Sequence, residues 1–486
     1  MSMQTILLKQ HIGAPCEPVV AAGDQVQRGT LIAKPAGLGA NIHASVSGKV
    51  AAVTETAIQI EADAEQPDDF VSIEGETNLE LLKAAGLVGM GGAGFPTAVK
   101  LNVDLKGGYI LVNAAECEPV LEHNMQQIRT KADMTVRGIK YIMEICNADH
   151  GVIAIKAKHE KEVAILNEAI KGDDKLSIHL LPDLYPMGEE RAVVREVLGT
   201  LLDPTQLPSA ADAVVINVET VLRAAEAIEL HRPAITKNIT VIGKLKGGPQ
   251  AHVFMDVPVG TTVGELIERA GGIDGEYGEI ILGGPFTGSA TTLDTPITKT
   301  TGGIIVTQPF EDLKGKKVGL LVCACGGNEN RMRDIAAKMN GEVISVQKCK
   351  QAAEIKGALK CENPGNCPGQ AQKCINFKKD GCEDIIIGNC SDCTNTVMGS
   401  APKLGLAVHH QTDHVLQTVG KEVMRYLTTS KKLEEAPAEA PAQESPEPHK
   451  AEAEKPAVKY TATVNDGMLR IHIEEGKDIN IEFPFH

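Results

Sequence analysis

No tryptophan occurs in the 486 residues, and aromatic side chains make up only 3% of them. Cores filled by large rings are therefore excluded, and the interior has to be built from Ile, Val, Leu and Ala, which suits parallel sheets covered by helices. No apolar run reaches the roughly 18 residues that a membrane-spanning helix needs, so no transmembrane segment is expected. The first 20 residues carry Lys9, His11, Pro15, Glu17 and Pro18 in place of an apolar signal core, and a cytoplasmic location is expected. Basic charge is outnumbered by acidic, with 48 Lys and Arg against 64 Asp and Glu. The net charge of −16 leaves no general footprint for nucleic acid and makes acidic partners poor ones.

What the chain does have is length, glycine and cysteine. At roughly 150 residues per domain it holds about three or four domains. Its 12 cysteines read as thiols, metal ligands or catalytic pairs in preference to structural disulfides, because cytoplasmic thiols stay reduced. Nine of them lie between Cys323 and Cys393, so their role is local.

The densest glycine stretch is Gly89-Met90-Gly91-Gly92-Ala93-Gly94-Phe95-Pro96-Thr97. Small residues let its backbone reach positive φ and approach a ligand closely. Pro96 suits the first turn of a helix, whose unpaired N–H groups favour an anion, and Lys100 adds a positive charge one turn on. The stretch reads as a phosphate cradle, with a close-packed glycine corner as the bland alternative. A Walker loop would place Lys-Ser or Lys-Thr after the last glycine, where Phe95-Pro96 stand. Gly89, Gly91 and Gly94 spell G-x-G-x-x-G, but that fingerprint needs an entering strand. Asn78 to Ala85 has a helical pattern instead, so the loop joins helix to helix.

Further on come Asn113-Ala114-Ala115-Glu116-Cys117-Glu118-Pro119, Tyr185-Pro186-Met187-Gly188-Glu189-Glu190 and Asn217-Val218-Glu219-Thr220. With the glycine loop, these four motifs resemble those of the flavoprotein subunits of respiratory NADH dehydrogenases, in the variant of the Rnf complex C subunit. The resemblance implies FMN and NADH as cofactors. It implies that Gly89, Gly91, Gly92, Ala93, Gly94 and Lys100 hold the FMN phosphate. Asn113, Glu116, Gly188, Glu189, Asn217 and Thr220 would line the flavin, with Glu118, Tyr185 and Glu190 nearer the nicotinamide nucleotide. Met90 departs from an Arg of the soluble dehydrogenases, and Ala115 from an Asp.

The fold class read from the chain is multidomain α/β. Residues 1–65, with short β-branched runs broken by Gly-Asp and Ser-Gly, look like a barrel-sandwich hybrid; Lys34 lacks the context of a carrier lysine. In 75–235, strands at 108–113, 151–155 and 177–181 alternate with helical stretches near 120–146, 158–171 and 188–199, which implies a Rossmann-like parallel sheet. Two of the motifs follow its strands, where ligands of such sheets bind. Residues 236–310 look like a β-grasp, soluble-ligand-binding module, expected to act as scaffolding.

Residues 314–430 form a second, Cys-rich parallel α/β domain. Its expected elements include helices at 351–359, 369–379 and 395–403. Cys323 and Cys325 end one strand, Cys349 and the Cys390–Cys393 pair follow others, and Cys361 and Cys367 sit in a loop. Parallel strands share one carboxyl edge, so these seven should gather on one rim, with Cys374 and Cys382 incidental. Cys323, Cys325, Cys390 and Cys393, at adjacent strand ends, are the candidate redox residues, and a C-x2-C at a helix N-terminus, as in Cys390–Cys393, has a lowered thiol pKa. Should the rim bind an iron–sulfur cluster or zinc, its ligands would come from the same four with Cys349, Cys361 and Cys367. The two C-x2-C-x2-C-x3-C-P runs of an Rnf C subunit are missing, a departure read as excluding that subunit itself.

The stretches 357–370 and 389–398 closely resemble the electron-transfer proteins associated with D-proline reductase in amino-acid-fermenting clostridia. That resemblance implies an NADH-oxidising flavoprotein passing electrons through the cysteine domain to proline reductase or another soluble acceptor, with self-association of the chain left open. An Rnf-type or cobalamin-reductase-type dehydrogenase subunit and a zinc-stapled, non-enzymatic scaffold are the alternatives. Residues 431–457, dense in Ala, Pro and Glu, read as a disordered linker. Residues 458–486 read as a small β tail, with Asn465-Asp466-Gly467 as its hairpin turn.

Overall fold

The computed structural model describes residues 3–424, 460–465, 468–473 and 477–482. Two units separate, Met1–Leu433 and Glu434–His486. The expected linker at 431–457 lies outside the described residues. In the second unit, Tyr460–Asn465, Met468–Ile473 and Lys477–Glu482 form an antiparallel three-stranded sheet.

The first unit opens with two small antiparallel sheets. Met3–Leu7, Ala57–Ala62, Gly48–Val53 and Gln25–Val26 make one, and Cys16–Pro18, Leu31–Pro35 and Ile42–His43 the other. Between them lies an aliphatic core of residues such as Ile6, Ile32, Ile42, Ile58 and Ile60.

The flavin-motif region is a parallel sheet in the spatial order Leu176–Leu181, His150–Lys156, Tyr109–Ala114, Ala213–Asn217. Three of its strands are Ile- and Val-rich runs buried on both faces, as the lack of aromatics implied. The chain moves outward from Tyr109–Ala114 through two neighbours and then returns to pair Ala213–Asn217 on the other side, with Asn113 opposite Asn217. That reversal leaves a crevice at the carboxyl ends of Tyr109–Ala114 and Ala213–Asn217, which is where open α/β sheets bind ligands. The helix Val218–Glu229, capped by Asn217, is braced by buried ion pairs of Glu219 with Lys237 and of Arg223 with Glu226 (2.8 Å).

Thr236–Gly243, His252–Pro258, Ile280–Leu282, Ser289–Thr291 and Gly303–Val306 form a mixed five-stranded sheet carrying the helix Val263–Arg269.

The last region is again a parallel sheet, ordered Glu342–Lys348, Lys317–Val322, Asp384–Ile387, Ala407–His410. Its strand order also reverses, between Lys317–Val322 and Asp384–Ile387. One expected element is different. The helix anticipated at 351–359 is a hairpin, Ala352–Ile355 paired antiparallel with Ala358–Cys361. Ala, Gln, Glu and Lys there favour a helix, but Lys356 (φ 51°) and Gly357 (φ 74°) both take left-handed backbone, the two-residue turn that matches strand twist. The helix expected at 395–403 is earlier and shorter, Ser391–Met398 followed by a single turn at Pro402–Leu404.

Candidate active site

The glycine loop does join helix to helix, leaving Asn78–Ala84 and entering the short Thr97–Lys100. Val88 bridges Pro96, the Gly89 amide donates to Phe95, and the Gly94 amide donates to Gly89. Gly89 and Gly94 therefore close the loop, while none of these closing bonds uses the amides of Gly91, Gly92 or Ala93. Gly91 stands so close to Asn217 that an added Cβ would meet its side-chain nitrogen at 2.8 Å. Gly92, at φ +105°, would carry a Cβ with no protein atom within 4 Å: the space before it is open. Thr220 fixes the loop from behind, its hydroxyl accepting from the Met90 amide at 2.9 Å.

The open space belongs to a cleft of about 470 Å³ at the sheet's reversal point. Gly91, Gly92, Asn113, Glu116, Glu118, Tyr185, Gly188, Glu189 and Asn217 all line it. Among the residues the resemblance assigned, Gly89, Ala93, Gly94, Lys100, Glu190 and Thr220 do not. Lys100 is ion-paired with Glu190, so its charge is partly met by protein.

Each lining side chain has a local reason for its pose. Asn113 Nδ2 donates to Gly188 O (2.8 Å) and its Oδ1 accepts from the Ala115 amide, which ties the first strand end to the Tyr185–Glu190 segment. Asn217 and Glu189 cap the two helices that follow them. Glu116 holds left-handed backbone at φ 38° and accepts from Asn124 Nδ2 at 2.8 Å. Burial pushes its carboxyl up to about 8, so it carries a proton at neutral pH. Glu118 is not free. Its carboxylate accepts from the Phe286 amide (2.8 Å), the Thr287 amide (2.9 Å) and the Thr287 hydroxyl (2.6 Å).

That last contact corrects the scaffolding expectation for 236–310, since Gly283, Gly284 and Thr287 form part of the cleft wall. Only a residue without a Cβ fits at Gly284, where one would lie 2.2 Å from Glu118. Asn124 and Arg191 were also missed from sequence. Both line the cleft, and each keeps one buried polar atom there without a protein partner, Asn124 Oδ1 and Arg191 Nη1. No signal beyond their nearness to the Glu116 and Glu189 motifs pointed to them. The cleft's size, its open glycine amides and these two unpaired polar atoms fit a flavin mononucleotide.

The seven expected cysteines, Cys323, Cys325, Cys349, Cys361, Cys367, Cys390 and Cys393, do converge on a second cavity at the carboxyl edge of the last sheet. Cys374 and Cys382 lie apart, buried in the apolar core. All are free thiols. The sulfurs also take hydrogen bonds, from Asn389 Nδ2 to Cys393 (2.8 Å) and from Gln370 Nε2 to Cys349 (3.1 Å). Among the described residues, no three His, Cys, Asp or Glu side chains stand as a set that would hold a metal ion.

The expected thiolates are corrected. Cys390 stands at the N-cap position of the helix Ser391–Met398 without a side-chain capping bond, and burial pushes its thiol well above the ordinary value. Cys393 is also raised, because it donates to Cys349 and Cys367. The acceptors gain what the donor loses: Cys349 falls to about 7 and Cys367 to about 6.

Known proteins share this geometry's two main parts. The Nuo51 FMN-binding domain matches residues 82–226, and the RnfC barrel sandwich hybrid domain matches residues 2–76. The chain is 34% identical over 341 residues to the C subunit of the proton-translocating ferredoxin:NAD(+) oxidoreductase complex of Clostridium ljungdahlii, covering 65% of this chain and 73% of that protein. It belongs to that family of C subunits. The sodium-translocating counterpart from Acetobacterium woodii is 33% identical, over 62% of this chain and 72% of its own. A cobalamin reductase of Salmonella typhimurium is 38% identical over 237 residues, 49% of this chain and about half (51%) of that protein. The missing ferredoxin runs, read from sequence as excluding the subunit, thus mark a member of the family without them. Its resemblance rests instead on the barrel and the FMN domain. This member is an NADH-dependent flavin oxidoreductase, an electron-transfer protein. Among the described residues no helix is long and apolar enough to cross a membrane.

Proposed function

We propose that the chain takes electrons from NADH at the cleft and passes them through the seven-cysteine cavity to a soluble acceptor, D-proline reductase being the acceptor that the cysteine-domain motifs suggest. The observation that carries this reading is a shared wall: Ala324, Cys325 and Cys361 line both the cleft and the cysteine cavity. FMN, when bound, would accept a hydride from NADH and release its electrons onward.

The chain's own residues would do the rest. The amides of Gly91 and Gly92, which line the cleft, would hold the phosphate, with no side chain in the way. Protonated Glu116 would present a neutral carboxyl to a bound ring system, with no buried negative charge beside it. Asn113, Gly188 and Asn217 line the cleft and would face the ring system. Tyr185, stacked on Phe286 with ring centroids 3.6 Å apart, walls the passage toward Cys325.

We read the thiols as working by dithiol–disulfide chemistry in the cytoplasm. Iron–sulfur or zinc binding by the same thiols are the outcomes that metal analysis would bring forward instead. The test is anaerobic: FMN is loaded onto the purified chain, NADH is added, and the flavin absorbance is followed beside iron, sulfide and zinc assays. Bleaching by NADH in metal-free protein supports the reading. Flavin that stays oxidised, with stoichiometric zinc, contradicts it and leaves a scaffold.

A further inference from the structure

The seven cysteines are not equivalent. Cys325 makes thiol hydrogen bonds with Cys323 and Cys361, while Cys393 makes them with Cys349 and Cys367. Two trios therefore stand in one cavity, with Cys390 buried beside both. Only the first trio reaches the flavin cleft, and only through Cys325 and Cys361.

The same short segment of the flavin domain grips both of these residues. Tyr185 Oη donates to the carbonyl of Cys325, and Arg191 Nη2 donates to the carbonyl of Cys361 at 2.7 Å. Around them, Ser391 accepts from the Tyr185 amide at 2.9 Å, and Arg195 Nη1 donates to Asn363 Oδ1 and Pro364 O, both at 2.6 Å. The seam thus fixes two chain positions that come from different elements, one after the strand Lys317–Val322 and one at the end of the hairpin Ala358–Cys361. Both residues line the cavity the seven thiols share as well as the flavin cleft, and a disulfide of roughly 2.05 Å is the bond they would form. The pKa of the Cys361 thiol is lowered first by its contact with Cys325 and, to a smaller extent, by the nearby Arg191 charge. The sequence-obvious pair, Cys390 and Cys393, does not line the cleft.

We propose that Cys325 and Cys361 are the redox-active pair that receives electrons from the flavin cleft. In the oxidised state they share a disulfide. Two electrons and two protons break that S–S bond and leave two thiols; the hydride of NADH supplies both electrons and one proton, and solvent supplies the other. A soluble two-electron acceptor later takes the electrons, both protons leave, and the S–S bond re-forms. The second trio, with its lowered Cys349 and Cys367, then lies on the acceptor side of this pair and can exchange with it. This inference rests on the electron route proposed above.

The full chain, loaded with FMN, is equilibrated anaerobically in glutathione buffers of graded poise, alkylated and mapped by peptide mass spectrometry. The pair expected to open first as the buffer becomes reducing is Cys325–Cys361. In oxidised protein, NADH is expected to release two thiols per chain at those positions. C361S should lose that gain, with its FMN content measured to show that it folds, and C382S should keep it. A disulfide mapped to Cys390–Cys393, or a two-thiol gain that survives in C361S, overturns the assignment. A Cys325–Cys361 bond that glutathione opens but NADH does not, with flavin left unbleached, overturns the electron donor while the pair itself stands.

Discussion

Gly92 carries the clearest single-residue consequence. Its φ of +105° lies where a β-branched residue is strained by about 1–3 kcal/mol, and an added side chain would point into otherwise open cleft space. Gly92→Val is therefore expected to abolish FMN binding in a chain that still folds, since Gly92 is exposed and a Cβ there meets no protein atom within 4 Å. Stoichiometric FMN in the folded variant, by absorbance after gel filtration, would contradict the cradle. Glu116 gives a pH signature. Its folded pKa of about 8 lies above the ordinary 4.5, so the stabilisation from holding its proton is complete below about pH 4.5 and is lost as pH rises through 8. Glu116→Gln should raise the urea midpoint of the FMN-free protein at pH 8.5 and by much less at pH 5.5. An equal change at both pH values would mean that the carboxyl does not titrate there.

Elements decide which thiols can work. Strand ends set Cys323, Cys349 and Cys390 on one edge, and this much was legible because Val- and Ile-rich runs, each closed by a cysteine, announce parallel strands. The hairpin that delivers Cys361 was not legible. Helix formers mask a turn whose only overt sign is Lys356-Gly357, and the decisive left-handed backbone is a tertiary outcome. The glycine loop was read correctly as joining two helices, but not that Lys100 turns to Glu190, because hydrogen-bond partners across 90 residues leave no local trace. The hydrogen-bonded trios make a testable difference in reactivity. Iodoacetamide should label Cys349 and Cys367 down to about pH 7, while Cys146, pushed up to about 12, and Cys382, up to about 11, stay unlabelled until far more alkaline pH. One common profile for all four would remove the donor–acceptor arrangement.

At the scale of the molecule, two parallel sheets turn their strand-order reversals toward one seam, with the cleft on one side and the cysteine cavity on the other. Every residue of both cavities lies within Met1–Leu433. Removing residues 434–486 should accordingly leave NADH-driven reduction of an artificial dye unchanged while slowing transfer to the natural acceptor; equal loss of both rates would make the tail part of the catalytic unit. The most direct measurement of the whole route is an anaerobic titration of oxidised, FMN-loaded protein with NADH, followed at the flavin band and by thiol count. A flavin and a disulfide in series predict about two equivalents of NADH to full bleaching, with two thiols gained per chain. Complete bleaching at one equivalent with no new thiols would contradict an electron path through the cysteine cavity.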